Sequence, residues 1–549
     1  MIDLNKREEK ILEYWIANNV DESVRSNNRN GKKFYFLDGP PYVTGNIASH
    51  HIWVVTTKDI VLRYKRYNKY NVHDRPGFDV HGLPIENKVE RKLEVKSKND
   101  IESKIGVEKF IQECKNYAQE QMEEATKMYK RYGYSANFNE TYIPLKNSYM
   151  SKGWMIFKKL HEKNLIYADM QALAYCPQCG TVLSSQGPEI EYWDESDASI
   201  FVKFPVLKSS KLDLERNTFL VIWTTTPWTL PANMAIAANP KARYVVVESN
   251  GENYIISKER LNAFVEATNA NAIIKKEFYG SELGGLQYSN PLENKIPVQS
   301  KFSKYHKVLL NEDLVSISEG TGLLHVAPGH GPEDYKLGKE NNIPIFSPVD
   351  EHARYTDEAG AYKGLSVPSE ANSVILHDLE EIGCLMFRGE IKHTYPHCWR
   401  CSTKLIFRAT KQWFINVKKL KKKMLAENKK IKWHPEVAQK WQEDAIESSP
   451  DWCISRQRYW GTPIPIWVCD DCKSFDVIGS IEELVSRAGL VSAPEDIHKP
   501  HVDKIKIKCD RCGRMMNRIN DVFDVWYDSG VSHTASLTEK EFDEIFPAD

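Results

Sequence analysis

Four C-x-x-C pairs, Cys176/Cys179, Cys398/Cys401, Cys469/Cys472 and Cys509/Cys512, constrain this chain more than any other feature. Each pair offers two thiolates at the spacing of a metal-binding knuckle, and two such pairs close a tetrahedral four-cysteine site. Cys176/Cys179 with Cys398/Cys401 would clamp the neck of whatever lies between them. Cys469/Cys472 with Cys509/Cys512 would form a zinc ribbon. Both sites would be full, so two structural Zn2+ ions are expected and catalysis by zinc is not. Cys114, Cys384 and Cys453 stand outside the pairs.

Knuckles of this kind belong to a reducing compartment rather than to a disulfide framework. The start, Met1 to Glu8, lacks the apolar stretch of a signal peptide. No apolar run approaches the roughly 20 residues that cross a bilayer, so a cytoplasmic protein with no membrane partner is expected. At 549 residues the chain is too long for one core, and 41% hydrophobic with 27% charged residues excludes wholesale disorder. With 74 Lys and Arg against 75 Asp and Glu, any affinity for nucleic acid must come from local clusters.

Periodicity supplies the order of elements. Helical spacing runs from Glu8 to Ala17, and Phe34 to Leu37 reads as a buried strand. A Gly- and Pro-rich loop from Asp38 to Gly45 precedes a helix over Ser49 to Tyr67. A short strand near Tyr70 to His73 leads into the turn Gly77-Phe78-Asp79-Val80-His81-Gly82, and Gly106 to Arg131 reads as a long amphipathic helix. From Ser196 to Lys392 the texture is β-branched strands between Gly and Asn turns. Helical material is expected from Lys411 to Ala445, with Lys418 to Lys423 as a solvated face, and the chain makes a final return over Asp521 to His533. The strand, loop and helix at Phe34 to Tyr67 form half of a βαβ unit, and Gly39-Pro40-Pro41-Tyr42 at the helix entrance suits a nucleotide phosphate. Asp79, at the end of the neighbouring strand, is placed to pair with a substrate cation such as an α-ammonium group.

These loops resemble the isoleucyl-tRNA synthetases, a branch of the class I aminoacyl-tRNA synthetases. The resemblance is carried by Gly39 to Gly45, Lys58-Asp59-Ile60, Gly77 to Glu86, Trp223 to Asn233, Ser449 to Gly461 and Asp524 to Gly530, in family order along essentially the whole chain. It implies an α/β fold: an incomplete Rossmann-like catalytic domain interrupted by an inserted β-rich editing domain, with zinc-binding modules. The boundaries would be 1–175 for the first catalytic part, 176–195 with 394–402 for the neck, 196–393 for editing, and 403–549 for the return, with the ribbon at about 467–516. Implied ligands of the complete enzyme are ATP, with Mg2+, L-isoleucine and tRNA(Ile). His51 and Asp79 would be catalytic. Gly39, Pro40, Pro41, Tyr42, Asp79, Trp526, Asp528, Ser529 and Gly530 would hold ATP and amino acid, with Trp526 as a wall of the side-chain pocket. Discrimination against a substrate one methylene smaller is inherently small, which motivates a second, hydrolytic site. There Thr224, Thr225, Thr226 and Thr229 would bind the terminal adenosine and ester, His325 would bound the side-chain pocket, and Asp334 would hold the amino group of a misplaced valine.

One departure matters. Where the family reads His-x-Gly-His, this chain reads Ala48-Ser49-His50-His51. His51 keeps the second histidine. Ala48 removes a donor to the pentavalent phosphate, and such a loss costs roughly 2–4 kcal/mol of transition-state stabilisation. The family's Lys-Met-Ser-Lys-Ser loop and anticodon-binding domain have no counterpart here, so the chain is expected to be the N-terminal part of such an enzyme, needing a separate C-terminal half. Negligible isoleucine activation by this chain alone follows. The alternatives are a free-standing Val-tRNA deacylase and a non-catalytic RNA-binding relative.

Overall fold

The computed structural model describes residues 3–95, 97–183, 189–207 and 212–549. The chain forms two compact units, Met1–Ala168 with Trp413–Asp549, and Asp169–Gln412, and it passes between them at 168/169 and 412/413.

In the first unit, β1 (Lys33–Leu37) and β2 (Asn71–Arg75) pair in parallel, from Lys33 opposite Asn71 to Leu37 opposite Arg75, and α1 (Ser49–Tyr67) connects them. Aromatic residues drive β1: Phe34 and Tyr35 are buried. The turn after β2 needs glycine at two places. A Cβ on Gly77 would stand 2.1 Å from the Tyr142 ring, and Gly82 has φ +82° with Val525 against it. α2 (Leu83–Lys92) starts there with Pro84 in its first turn. α3 (Val107–Tyr132) buries Phe110, Ile111, Cys114, Ala118, Met122, Ala125 and Tyr129, a stripe at three- and four-residue spacing, against a core that includes Val80, Ile85 and Trp460. A second core gathers Trp154, Phe157, Trp413, Trp467 and Tyr527, with Trp154 and Trp467 edge to face at 6.3 Å.

The stretch expected to be helical from Lys411 is different. A strand, Ile406–Ile415, comes first, and its Phe414 and Ile415 pair with Cys453 and Trp452; two helices, Lys421–Asn428 and Val437–Ser448, follow. The run Gln412 to Ile415 is buried, which a strand achieves and a solvated helix does not. Pro435 lies in the break between the helices, where it removes a backbone donor.

The second unit is built on a sheet that contains nine strands among the described residues. Three of these frame a cavity: β3 (Thr218–Thr224), β4 (Ala235–Ala238) and β5 (Leu323–Val326). β5 lies between the other two, parallel to β3 with Leu324 opposite Trp223, and antiparallel to β4. The helix α4 (Pro332–Glu340) follows β5. A long ribbon, Ile190–Pro205 paired antiparallel with Leu385–Cys398, runs from the sheet to the cysteines, ending with Cys398 opposite Ile190.

Candidate active sites and metal centres

In the first unit, a cavity of about 540 Å³ opens where the β1 loop meets the start of α1; Gly39, Pro41, Tyr42, His50, His51 and Lys58 are among its lining residues. Asp38 is buried beneath it and paired with Lys58. Burial raises the Asp38 carboxyl above its ordinary range, with the Lys58 ammonium opposing. Lys58 Nζ also donates to the Gly39 carbonyl at 3.2 Å, so this lysine fixes the start of the loop through two adjacent residues. His51 Nδ1 accepts from the Ala48 amide at 3.1 Å, capping α1. The two loops are joined as backbone: Asp79 N donates to the Pro41 carbonyl at 3.0 Å, and Val43 N to that of Asp79 at 3.4 Å. Asp79 is buried, its Oδ1 has no hydrogen-bond partner among the described residues, and burial pushes its carboxyl well up, with Asp528 adding to the effect. A buried carboxylate with an open oxygen is suited to a cation. Pro40, Asp79, Trp526, Asp528, Ser529 and Gly530 do not line the 540 Å³ cavity. Trp526 sits on the short helix Val525–Gly530 and is 38% exposed. Asp528 is buried and bonds His81 instead.

The second unit holds a smaller cavity, about 220 Å³, which brings together Thr224, Thr225, Thr226, Thr229, His325 and Asp334, with Trp223 and His330 also lining it. Register explains the assembly, because the β3–β5 pairing sets the end of β3 beside His325. Hydrogen-bond direction can be read through the site. Asn233 Oδ1 accepts from the Tyr288 hydroxyl at 2.7 Å, and its Nδ2 donates to the Ala235 carbonyl at 2.9 Å and to His325 Nδ1 at 2.8 Å. His325 therefore carries its proton on Nε2, which donates to Thr229 Oγ1 at 3.0 Å, and that hydroxyl donates to the Thr226 carbonyl at 2.8 Å. Burial pulls the His325 imidazole down to about 3, so it is a neutral donor at physiological pH. Asp334 stands in the first turn of α4 and accepts from Ala327 N at 2.8 Å through Oδ2. Burial raises its carboxyl to about 6, the Ala327 amide opposing. The cavity thus holds one titratable acid beside a threonine-lined wall and a neutral imidazole. Asn233 lies inside the motif Trp223 to Asn233 that carries the resemblance, but no spacing marks it as the residue that orients His325; its role needs the partners of both its amide atoms.

The cysteines meet as two quartets, Cys176, Cys179, Cys398 and Cys401, and Cys469, Cys472, Cys509 and Cys512. Within the first, Sγ atoms stand 3.4 Å (Cys176–Cys401), 3.7 Å (Cys179–Cys401) and 4.0 Å (Cys179–Cys398) apart; within the second, 3.4 Å (Cys469–Cys512) and 3.7 Å (Cys472–Cys509). Four sulfurs around one ion at metal–sulfur distances of about 2.3 Å would stand about 3.8 Å apart, so both quartets fit a tetrahedral metal. The second quartet lies at the turns of a small sheet formed by Ile466–Val468, Phe475–Val477, Ile507–Lys508 and Met515–Arg518.

A family model described as tRNA synthetases class I (I, L, M and V) matches residues 10–549. The chain belongs to the class I tRNA synthetases. Among class I synthetases it is similar to the isoleucine–tRNA ligase of Methanothermobacter marburgensis, 44% identical over 99% of this chain and 51% of the relative. That of Pyrococcus horikoshii is 42% identical over 99% of this chain and 53% of the relative. The chain spans about half the length of the curated relatives it matches. A solved LeuRS-tRNA-LeuAMS complex from Agrobacterium radiobacter K84 aligns at 19% identity and a TM-score of 0.42, over 100% of this chain and 62% of that one. Among the described residues, no helix is long and apolar enough to cross a membrane.

Proposed function

We propose that this chain is the amino-terminal portion of an isoleucine–tRNA ligase, and that its second unit hydrolyses Val-tRNA(Ile). The observation that carries the reading is the 220 Å³ cavity, where Asp334, a threonine wall and a neutral His325 meet. Asp334 binds the α-ammonium of a misplaced valine, the hydroxyls of Thr224 to Thr229 hold the terminal ribose and ester, and His325 limits the side chain. Water then adds to the ester carbonyl carbon, the acyl–oxygen bond breaks, and the ribose hydroxyl leaves with a proton. Residues 196–393 form the editing domain in this reading, and residues 1–175 with 403–549 the catalytic part. ATP with Mg2+, L-isoleucine and tRNA(Ile) are ligands of the complete enzyme, the two quartets hold structural Zn2+, and the setting is the cytoplasm.

Ala48 and His50 favour a second reading, in which this chain's hydrolytic site works without activation. His50 lines the cavity where a nucleotide would lie, and Ala48 supplies no side-chain donor. Asp334→Ala separates function from architecture: release of valine from Val-tRNA(Ile) is expected to fall at least about 100-fold, the range for removing a charge-assisted contact. Unchanged release overturns the editing assignment.

A further inference from the structure

His81 and His498 are both excluded from solvent, and neither has a role read from the sequence, although His81 lies in the motif Gly77 to Glu86. Their Nε2 atoms lie 2.9 Å apart. On the far sides, His81 Nδ1 is 2.8 Å from Asp528 Oδ2, and His498 Nδ1 is 2.5 Å from Asp496 Oδ1. Trp460 fixes both ring planes, stacked on His498 at 4.8 Å and edge-on to His81 at 5.0 Å.

The protons can be counted. A carboxylate only accepts, so each Nδ1 that faces one carries a hydrogen, and the Nε2–Nε2 contact requires one more. Three protons on four nitrogens make one imidazolium and one neutral imidazole. With both carboxyls ionised, two neutral rings would set lone pair against lone pair at one of the three contacts, an expensive arrangement in a buried site. Asp496 is ionised: although burial opposes it, the hydrogen bond from His498 and Lys115 at 3.0 Å hold its carboxyl below the usual range. Asp528 Oδ1 accepts from the Thr462 hydroxyl at 2.7 Å. Burial lowers the His498 imidazole, with Asp496 opposing and Lys115 and His81 adding to the fall. Lys115 already pairs with Asp496, while His81 is the ion-pair partner of Asp528 among the described residues, so His498 is the neutral ring, donating through Nδ1 and accepting at Nε2, and His81 is the ring with two protons.

We propose that His498 is a positioning residue: its Nε2 lone pair holds His81 as an imidazolium against Asp528, which leaves Asp79 as the carboxyl of this group open to a substrate ammonium. The last clause rests on the reading of Asp79 as the amino-acid site. Charge balance supports it. His81 offsets Asp528 and Lys115 offsets Asp496, while Asp524, the other carboxylate acting on Asp79, is paired with Arg456. Asp79 alone in this group has no cation among the described residues.

Histidine-ring 15N NMR of the full 549-residue chain at pH 7, assigned with His81→Gln and His498→Gln, tests the count. The expected pattern is one ring with both nitrogens protonated and one with Nδ1–H alone. Two singly protonated rings would overturn the proposal. His498→Gln keeps an acceptor and should retain the doubly protonated His81. His498→Leu has none, and should leave His81 with one proton and weaken L-isoleucine binding about tenfold, the effect of one pKa unit. A doubly protonated His81 in the Leu variant would overturn the role of His498; if that variant does not fold, the wild-type and Gln spectra still decide. A wild-type chain with the imidazolium but no isoleucine binding refutes the substrate assigned to Asp79 and leaves the proton count standing.

Discussion

Asp334 is the residue whose ionisation the hydrolytic reading depends on. Its carboxyl titrates near pH 6, above its ordinary range, because burial disfavours the charge. Below that pH it is neutral and has no charge with which to hold an ammonium. His325 and His330, lowered to about 3 and about 4 by burial, stay neutral throughout. Valine release should therefore rise with pH up to about 6, falling close to tenfold per unit below it, and then level off; a profile flat from pH 5 to 8 would contradict the role. The sign for stability is opposite. A carboxyl raised in the folded state costs stability that is absent below its unfolded pKa of about 3.9 and fully present above 6. Asp334→Asn, which can still accept from Ala327 N, should thus melt higher than wild type at pH 7.5 and no higher at pH 4, while losing hydrolysis.

At the scale of elements, Glu86 ties α2 to the segment at Arg458 to Trp460. It is fully buried, pairs with the Arg458 guanidinium, and accepts from Tyr459 N at 3.0 Å and Trp460 N at 2.6 Å. Glu86→Ala should cost about 2–4 kcal/mol, since it takes one of two carboxylates from a buried guanidinium, Glu90 being the other, and leaves two buried amides without their acceptor; denaturant unfolding giving under about 1 kcal/mol would show that the segment is held otherwise. The βαβ order and α3 were legible because periodicity and a Gly/Pro loop are local signals: α1 was expected at 49–67 and is found there. The strand over Ile406–Ile415 was not, because a short buried run reads alike on a strand or a buried helix. The sites divide similarly. The threonines, His325 and Asp334 could be named from motifs, whereas Asn233 as the orienter of His325, and His498 as the partner of His81, depend on contacts between residues far apart in the chain.

For the molecule as a whole, each unit carries one cysteine quartet. The ribbon sheet around the second quartet is made of strands of two to four residues, and its four cysteines stand at the turns between them, where a metal would tie those turns together. Elemental analysis should find about two zinc ions per chain. Cys179→Ser and Cys472→Ser should each remove one ion and leave the other, and full folding with no metal would refute the cysteine reading. The central claim is that this chain hydrolyses a mischarged tRNA without activating an amino acid. Its most direct test measures two rates on one preparation of the isolated chain: valine release from Val-tRNA(Ile), and isoleucine-dependent exchange of pyrophosphate into ATP. Release well above the uncatalysed rate, with exchange at background, is the predicted result; robust exchange, or release no faster than in buffer, would contradict the claim.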